Sequence, residues 1–126
     1  MAEKTIDIAS PILSRNERLA DQLRKRFEQT DTYVINVLSS PGSGKTTTIL
    51  GTNERLRDKA SLRCAVIEGD IASDVDAITM KEAGMPAIQI NTGGLCHLEG
   101  NMIMEAVDAF DQAVGLENID VIFIEN

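Results

Sequence analysis

The residues with the plainest chemical potential are Ser39-Ser40-Pro41-Gly42-Ser43-Gly44-Lys45-Thr46-Thr47. They follow an apolar, β-branched run, Tyr33-Val34-Ile35-Asn36-Val37-Leu38, and lead into a helical stretch from Lys45 to about Lys59. Strand, Gly-rich loop, Lys-Thr and helix in that order are what a phosphate-binding P-loop needs. Gly42 and Gly44 let the backbone curl so that successive N–H groups point inward. The helix N-terminus adds positive potential. Lys45 can reach terminal phosphates, and the Thr46 hydroxyl can ligate Mg²⁺. Ser39 stands where the motif usually has glycine, a small change that alters loop entry and keeps the site. Pro41, Gly42, Ser43, Gly44, Lys45, Thr46 and Thr47 are therefore the candidate nucleotide-binding residues. A turn with an incidental lysine would not need all four features to agree.

Two acids can complete such a site. Asp70 closes the second strand, Cys64-Ala65-Val66-Ile67 with Glu68-Gly69-Asp70, and Glu125 closes the last, Ile119 to Ile124. Ligands of open α/β sheets bind at that carboxyl edge. Either acid can hold Mg²⁺ directly or through water, or help place an attacking water. Asp74 and Asp76 fit ordinary helix-start acids favoured by the dipole, with a switch role as the alternative. Cys96-His97 supplies a thiolate and an imidazole, suited to Zn²⁺ or Ni²⁺. Two adjacent ligands do not close a tetrahedral site, and on spacing alone a structural Cys beside a helix-start His is the plainer account. Cys64, mid-strand, reads as a small core residue. Met102 and Met104 read as helical core.

The elements that must position these groups alternate. Ser10-Pro11 is an N-cap with Pro at the first helical position, and Leu19, Leu23 and Phe27 make residues 11–29 an amphipathic helix. Its Arg24-Lys25-Arg26 cluster reads as a solvated face. Further helices are expected from about Val75 to Ala83 and from about His97 to Val114, with a short strand Ala87–Ile90 between them. The alternation predicts an α/β fold, a parallel sheet with flanking helices. The run at Tyr33 reads as a strand buried on both faces. The chain stops on an apolar strand, which suggests a truncated front portion whose last strand lacks cover and invites aggregation.

Composition narrows the classes. The chain has 126 residues, 43% hydrophobic and 25% charged, fitting one globular domain or part of one. A net charge of -8 and 3% aromatics argue against a nucleic-acid partner. Charge is uneven: residues 1–63 hold eleven of the 12 Lys and Arg but eight of the 20 acids. A basic half that grips an anion beside an acidic half that can hold a cation suits the site above. Two cysteines make no disulfide scaffold. Neither a signal peptide nor a membrane span is visible, so a cytoplasmic protein without a membrane partner is expected.

SSPGSGKTT, VIEGD, GMPAIQINTGGLCHLEGNM and FIEN, in that order, resemble the hydrogenase nickel-incorporation GTPases, the HypB-type maturation factors. The resemblance covers nearly the whole chain. It implies a P-loop NTPase of the signal-recognition-particle/MinD-like GTPase class. Residues 1–30 would be an N-terminal helix and 31–126 the front part of the GTPase domain. It further implies GTP/GDP and Mg²⁺ held by Lys45, Thr46, Asp70 and Glu125. Ni²⁺ or Zn²⁺ would sit on Cys96 and His97. A homodimer is implied, delivering nickel with other hydrogenase maturation proteins to the hydrogenase large subunit. The urease-type nickel GTPases are similar around the P-loop but carry Cys-Pro-His, whereas Cys96 and His97 are adjacent. A metal-delivery module with a silent nucleotide site and another P-loop ATP-dependent enzyme are the competing accounts, since these residues do not separate guanine from adenine.

Overall fold

The computed structural model describes residues 10–37, 44–69, 74–90 and 100–125. Helix α1 spans Ser10–Thr30, α2 Lys45–Ala60, α3 Asp74–Glu82 and α4 Gly100–Val114. Strands β1 Tyr33–Val37, β2 Cys64–Glu68, β3 Ala87–Gln89 and β4 Val121–Glu125 form one sheet in the order β1-β4-β2-β3. Every neighbouring pair is parallel. A one-turn 3₁₀ helix, Leu116–Asn118, precedes β4; it was not foreseen, because three residues carry no periodicity to recognise.

Alternate strand residues feed two cores, as the two-residue period of a strand requires. On one face Ala65, Ile67, Ile122 and Ile124 meet Leu23 of α1 and Ala106, Val107 and Phe110 of α4. On the other, Cys64, Val66, Val121 and Phe123 meet Ile49 of α2 and Met80 of α3. Cys64, Met102 and Met104 thus take the core positions expected of them. Three layers result, helices on both sides of a parallel sheet.

Two expectations fail here for one reason. β4 is not an uncovered last strand: it lies between β1 and β2, and all five of its residues are buried. β1 is not buried on both faces: it is an edge strand, with Tyr33 76% and Ile35 43% exposed. Chain order does not reveal that the strand latest in sequence inserts between the first two. The exposed apolar edge therefore belongs to β1.

Arg26 is also not part of a solvated cluster. Its guanidinium donates to Asp108 and Asp111 of α4, the latter at 3.2 Å, and lies 3.5 Å from the sulfur of Met104. Met104, Asp108 and Asp111 follow one another at helical spacing, so one stripe of α4 grips one side chain of α1. Nearer the start of α4 the helices come close at Gly100, where a Cβ would stand 3.4 Å from Leu19 Cβ. The Asp111 carboxyl is held below its ordinary value, first by the backbone N–H of Leu116, then by Arg26. A lowered carboxylate stabilises the fold above its unfolded value and loses that contribution as pH falls through the folded one. Arg26→Met should therefore lower the urea midpoint at neutral pH. About half or more of that loss should vanish in 1 M salt, because the pair is partly exposed and screened. A loss insensitive to salt would assign Arg26 to packing instead.

Candidate functional site

The site is built at the carboxyl edge of the sheet. One register row crosses all four strands there: Val37, Glu125, Glu68 and Gln89. Glu68 is 0% and Glu125 3% exposed. The row is tied beyond the strands by Gly69 N–H donating to Glu125 O and Ile90 N–H to Glu68 O, both at 2.8 Å. By alternation from Cys64, Val66, Val121 and Phe123, both carboxylates belong to the face that carries α2. Adjacent strands run about 4.8 Å apart, so two buried acids lie side by side at the edge from which α2 departs. Their carboxylates are oxygen ligands of the kind a hard cation takes.

α2 begins at Lys45, one residue after Gly44. Gly44 has φ 88° and ψ 22°, the left-handed conformation that favours glycine, so the turn into the helix depends on this residue. Thr48 closes the first turn, its N–H and its hydroxyl each donating to Gly44 O at 3.0 Å. Thr46 is half-buried and Thr47 exposed in that turn. The amino end of α2, with the positive end of its dipole and N–H groups that have no partner within the helix, thus stands at the same sheet edge as Glu68 and Glu125. The carboxylates and the Thr46 hydroxyl are oxygen donors, the ligand type that Mg²⁺ prefers.

Of the residues singled out from sequence, Gly44, Lys45, Thr46, Thr47 and Glu125 are therefore gathered at one edge. Pro41, Gly42, Ser43, Asp70, Cys96 and His97 lie outside the described residues. Asp74 opens α3, as a helix-start acid should. Glu68 was passed over. Its signal was parity: an acid two positions on from Val66, in a strand otherwise apolar. What made it meaningful, pairing with Glu125, depends on strand order. Among the described residues no three His, Cys, Asp or Glu side chains cluster as a metal site. No described helix is long and apolar enough to cross a membrane.

Cys64 is separated from this edge by the length of β2 and is buried. Burial, with Asp120 adding to it, pushes its thiol up to about 11. That shift disfavours the Cys64 thiolate, the form that reacts and binds metal. Maleimide should therefore modify Cys64 only after denaturation. Rapid labelling of Cys64 in the native Cys96→Ala variant would contradict the buried placement.

Comparison with known proteins agrees with this architecture. Residues 33–126 match the family described as CobW/HypB/UreG, nucleotide-binding domain. The chain is 41% identical over 124 residues to the hydrogenase/urease maturation factor HypB of Helicobacter hepaticus, covering 98% of this chain and 50% of that protein. It is 42% identical over 123 residues to the hydrogenase maturation factor HypB of Escherichia coli K12, covering 98% of this chain and 40% of that protein. Among solved structures, HypB from Helicobacter pylori in complex with nickel matches with TM-score 0.76 and 38% identity, over 88% of this chain and 50% of that one. HypB from Archaeoglobus fulgidus matches with TM-score 0.76 and 31% identity, over 90% and 52%. The chain spans half or less of the length of these curated relatives.

Proposed function

Because the chain belongs to the CobW/HypB/UreG family of nucleotide-binding domains, we propose that it is the nucleotide-binding portion of a HypB-type GTPase that assists nickel insertion into hydrogenase. Residues 41–47 hold the phosphates, with Lys45 on the terminal ones. Mg²⁺ is held by Thr46 with Asp70 and Glu125, directly or through water, and Glu68 belongs to the same acidic set. Cys96 and His97 take Ni²⁺ or Zn²⁺, and a homodimer completes the coordination. The protein works in the cytoplasm with other maturation proteins and the hydrogenase large subunit.

One observation carries this reading: the Gly44 turn and the start of α2 share a sheet edge with two buried acids. Anion-binding amides and cation-binding oxygens at one edge suit a nucleotide–Mg²⁺ complex better than either ligand alone. The nickel named for the Helicobacter pylori structure supports the metal half of the proposal.

Calorimetry with GTP, GDP and ATP tests it. GTP and GDP should bind in preference to ATP. Lys45→Ala should weaken GTP by about ten- to a hundredfold, since a charge-assisted contact is worth roughly 1.5–3 kcal/mol. Unchanged affinity in that variant would remove the phosphate site. Preference for ATP would favour another P-loop enzyme. Turnover insensitive to Lys45→Ala would leave a metal-delivery module with a silent nucleotide site.

A further inference from the structure

We propose that the opposite, amino edge of the sheet carries a second binding site, for a small molecule with an aliphatic body and a carboxylate head. A cavity of about 520 Å³ lies there, within the span of about 300–1,000 Å³ typical of small-molecule sites. It is bounded by the C-terminal part of α2, the start of β2, the turn after α3 and the segment after α4. Cys64, Pro86 and Ile119 give it apolar surface, while Asn53, Arg57 and Arg63 bring polar groups to it.

Two observations point to a ligand. The first is Asn53, only 6% exposed, which lines the cavity. Its carboxamide is not among the fully occluded polar groups that lack a partner, so it meets the cavity, where a ligand can take the place of water on it. The second is charge. Among the described residues Arg57 and Arg63 are the only charged side chains lining the cavity. Three helices end around it, and basic residues at such ends commonly bond the last carbonyls. Here the chain closes those ends itself: Leu62 N–H donates to Leu56 O at 3.1 Å, Met85 N–H to Met80 O at 3.0 Å, and Gly115 N–H to Asp111 O at 3.0 Å. Asn118 Nδ2 donates to Val114 O at 2.7 Å.

The arginines are thus not consumed by capping. Arg57 Nε donates to Asp58 at 3.2 Å, and Arg63 Nη1 to Asn118 Oδ1 at 3.5 Å. Arg63 Nε stands 4.0 Å from Asp120. Each guanidinium keeps further N–H donors in the planar fork that matches a carboxylate. A phosphate would satisfy the fork but leave the apolar surface in water, whereas an aliphatic carboxylate satisfies both. The site lies at the opposite end of β2 from Glu68, so it neither uses nor needs the nucleotide edge.

Hexanoate titrated into the ¹⁵N-labelled full chain tests the proposal, followed by the side-chain amide signals of Asn53 and Asn118. Hexanol, hexylammonium and inorganic phosphate are the comparison probes. Saturable shifts centred on Asn53 are expected with hexanoate, with binding about tenfold or more weaker for the other three. Arg57→Ala with Arg63→Ala should weaken hexanoate by about tenfold or more. Both side chains are more than half exposed, so the folded spectrum should persist. No saturable shift at Asn53, equal binding of hexanol or phosphate, or unchanged hexanoate affinity in the double variant would overturn it. Shifts at Asn53 with none of the probes would mean that water fills the cavity, and would overturn it too.

Discussion

Phe110→Ala should destabilise the protein by about 3–5 kcal/mol, the cost of emptying a large aromatic site in a core. Phe110 is 2% exposed and sits among Leu23 of α1, Ala65 and Ile67 of β2 and Ile122 and Ile124 of β4. It ties α4 to both α1 and the sheet, so little of the void can collapse. Domains hold only about 5–15 kcal/mol in total, and this one change removes a large share. Tyr33→Ala is the internal control, because that aromatic is 76% exposed on an edge strand and should cost little. Urea unfolding of the two variants should separate them by more than about 2 kcal/mol at unchanged m-value. Equal losses would mean that α4 is not seated on the sheet as described. The same experiment bears on function, because α4 begins four residues after Cys96.

What was legible in the sequence was local. The P-loop declares itself through Gly44, Lys45 and Thr46, each of which acts on its neighbours along the chain. The four strands and four α-helices among the described residues match those expected from the sequence pattern, with ends that coincide or differ by one or two residues where the described chain allows comparison. What was not legible needed contacts between distant segments. β4 inserts between β1 and β2, so Glu68 meets Glu125 across 57 positions of sequence, a meeting no local pattern encodes. The same insertion leaves Tyr33 and Ile35 exposed on the edge. Arg26 looked like one of three basic residues until α4 presented Asp108 and Asp111 to it. Asn53 carries no local signal, because its place on a cavity wall depends on α2 meeting the turn after α3 and the segment after α4.

Cys96→Ala should weaken Ni²⁺ and Zn²⁺ binding by about a hundredfold or more, since even loss of a group that only orients a metal ligand costs about 10–100-fold. A thiolate supplies charge and softness together, and the second thiol of the chain cannot replace it. Cys64 is buried at the start of β2, at the opposite edge of the sheet, and burial pushes its thiol up to about 11, which disfavours the thiolate a metal needs. His97→Ala should weaken binding less, because a neutral imidazole brings no charge. One Cys-His pair supplies two of the four ligands that a closed site wants, and two copies supply all four. Metal should therefore promote dimerisation, and dimerisation should raise metal affinity by the same factor, because coupling between binding events is reciprocal. Affinity should fall as pH drops and protons compete for the thiolate and the imidazole. Metal titration followed by light scattering on the wild type, Cys96→Ala and His97→Ala reads all of these. If both variants bind metal and dimerise as the wild type does, Cys96 and His97 are structural and the nickel-delivery reading loses its main support. If binding is lost while dimerisation persists, the dimer is held by surface contacts and the metal site lies within one copy.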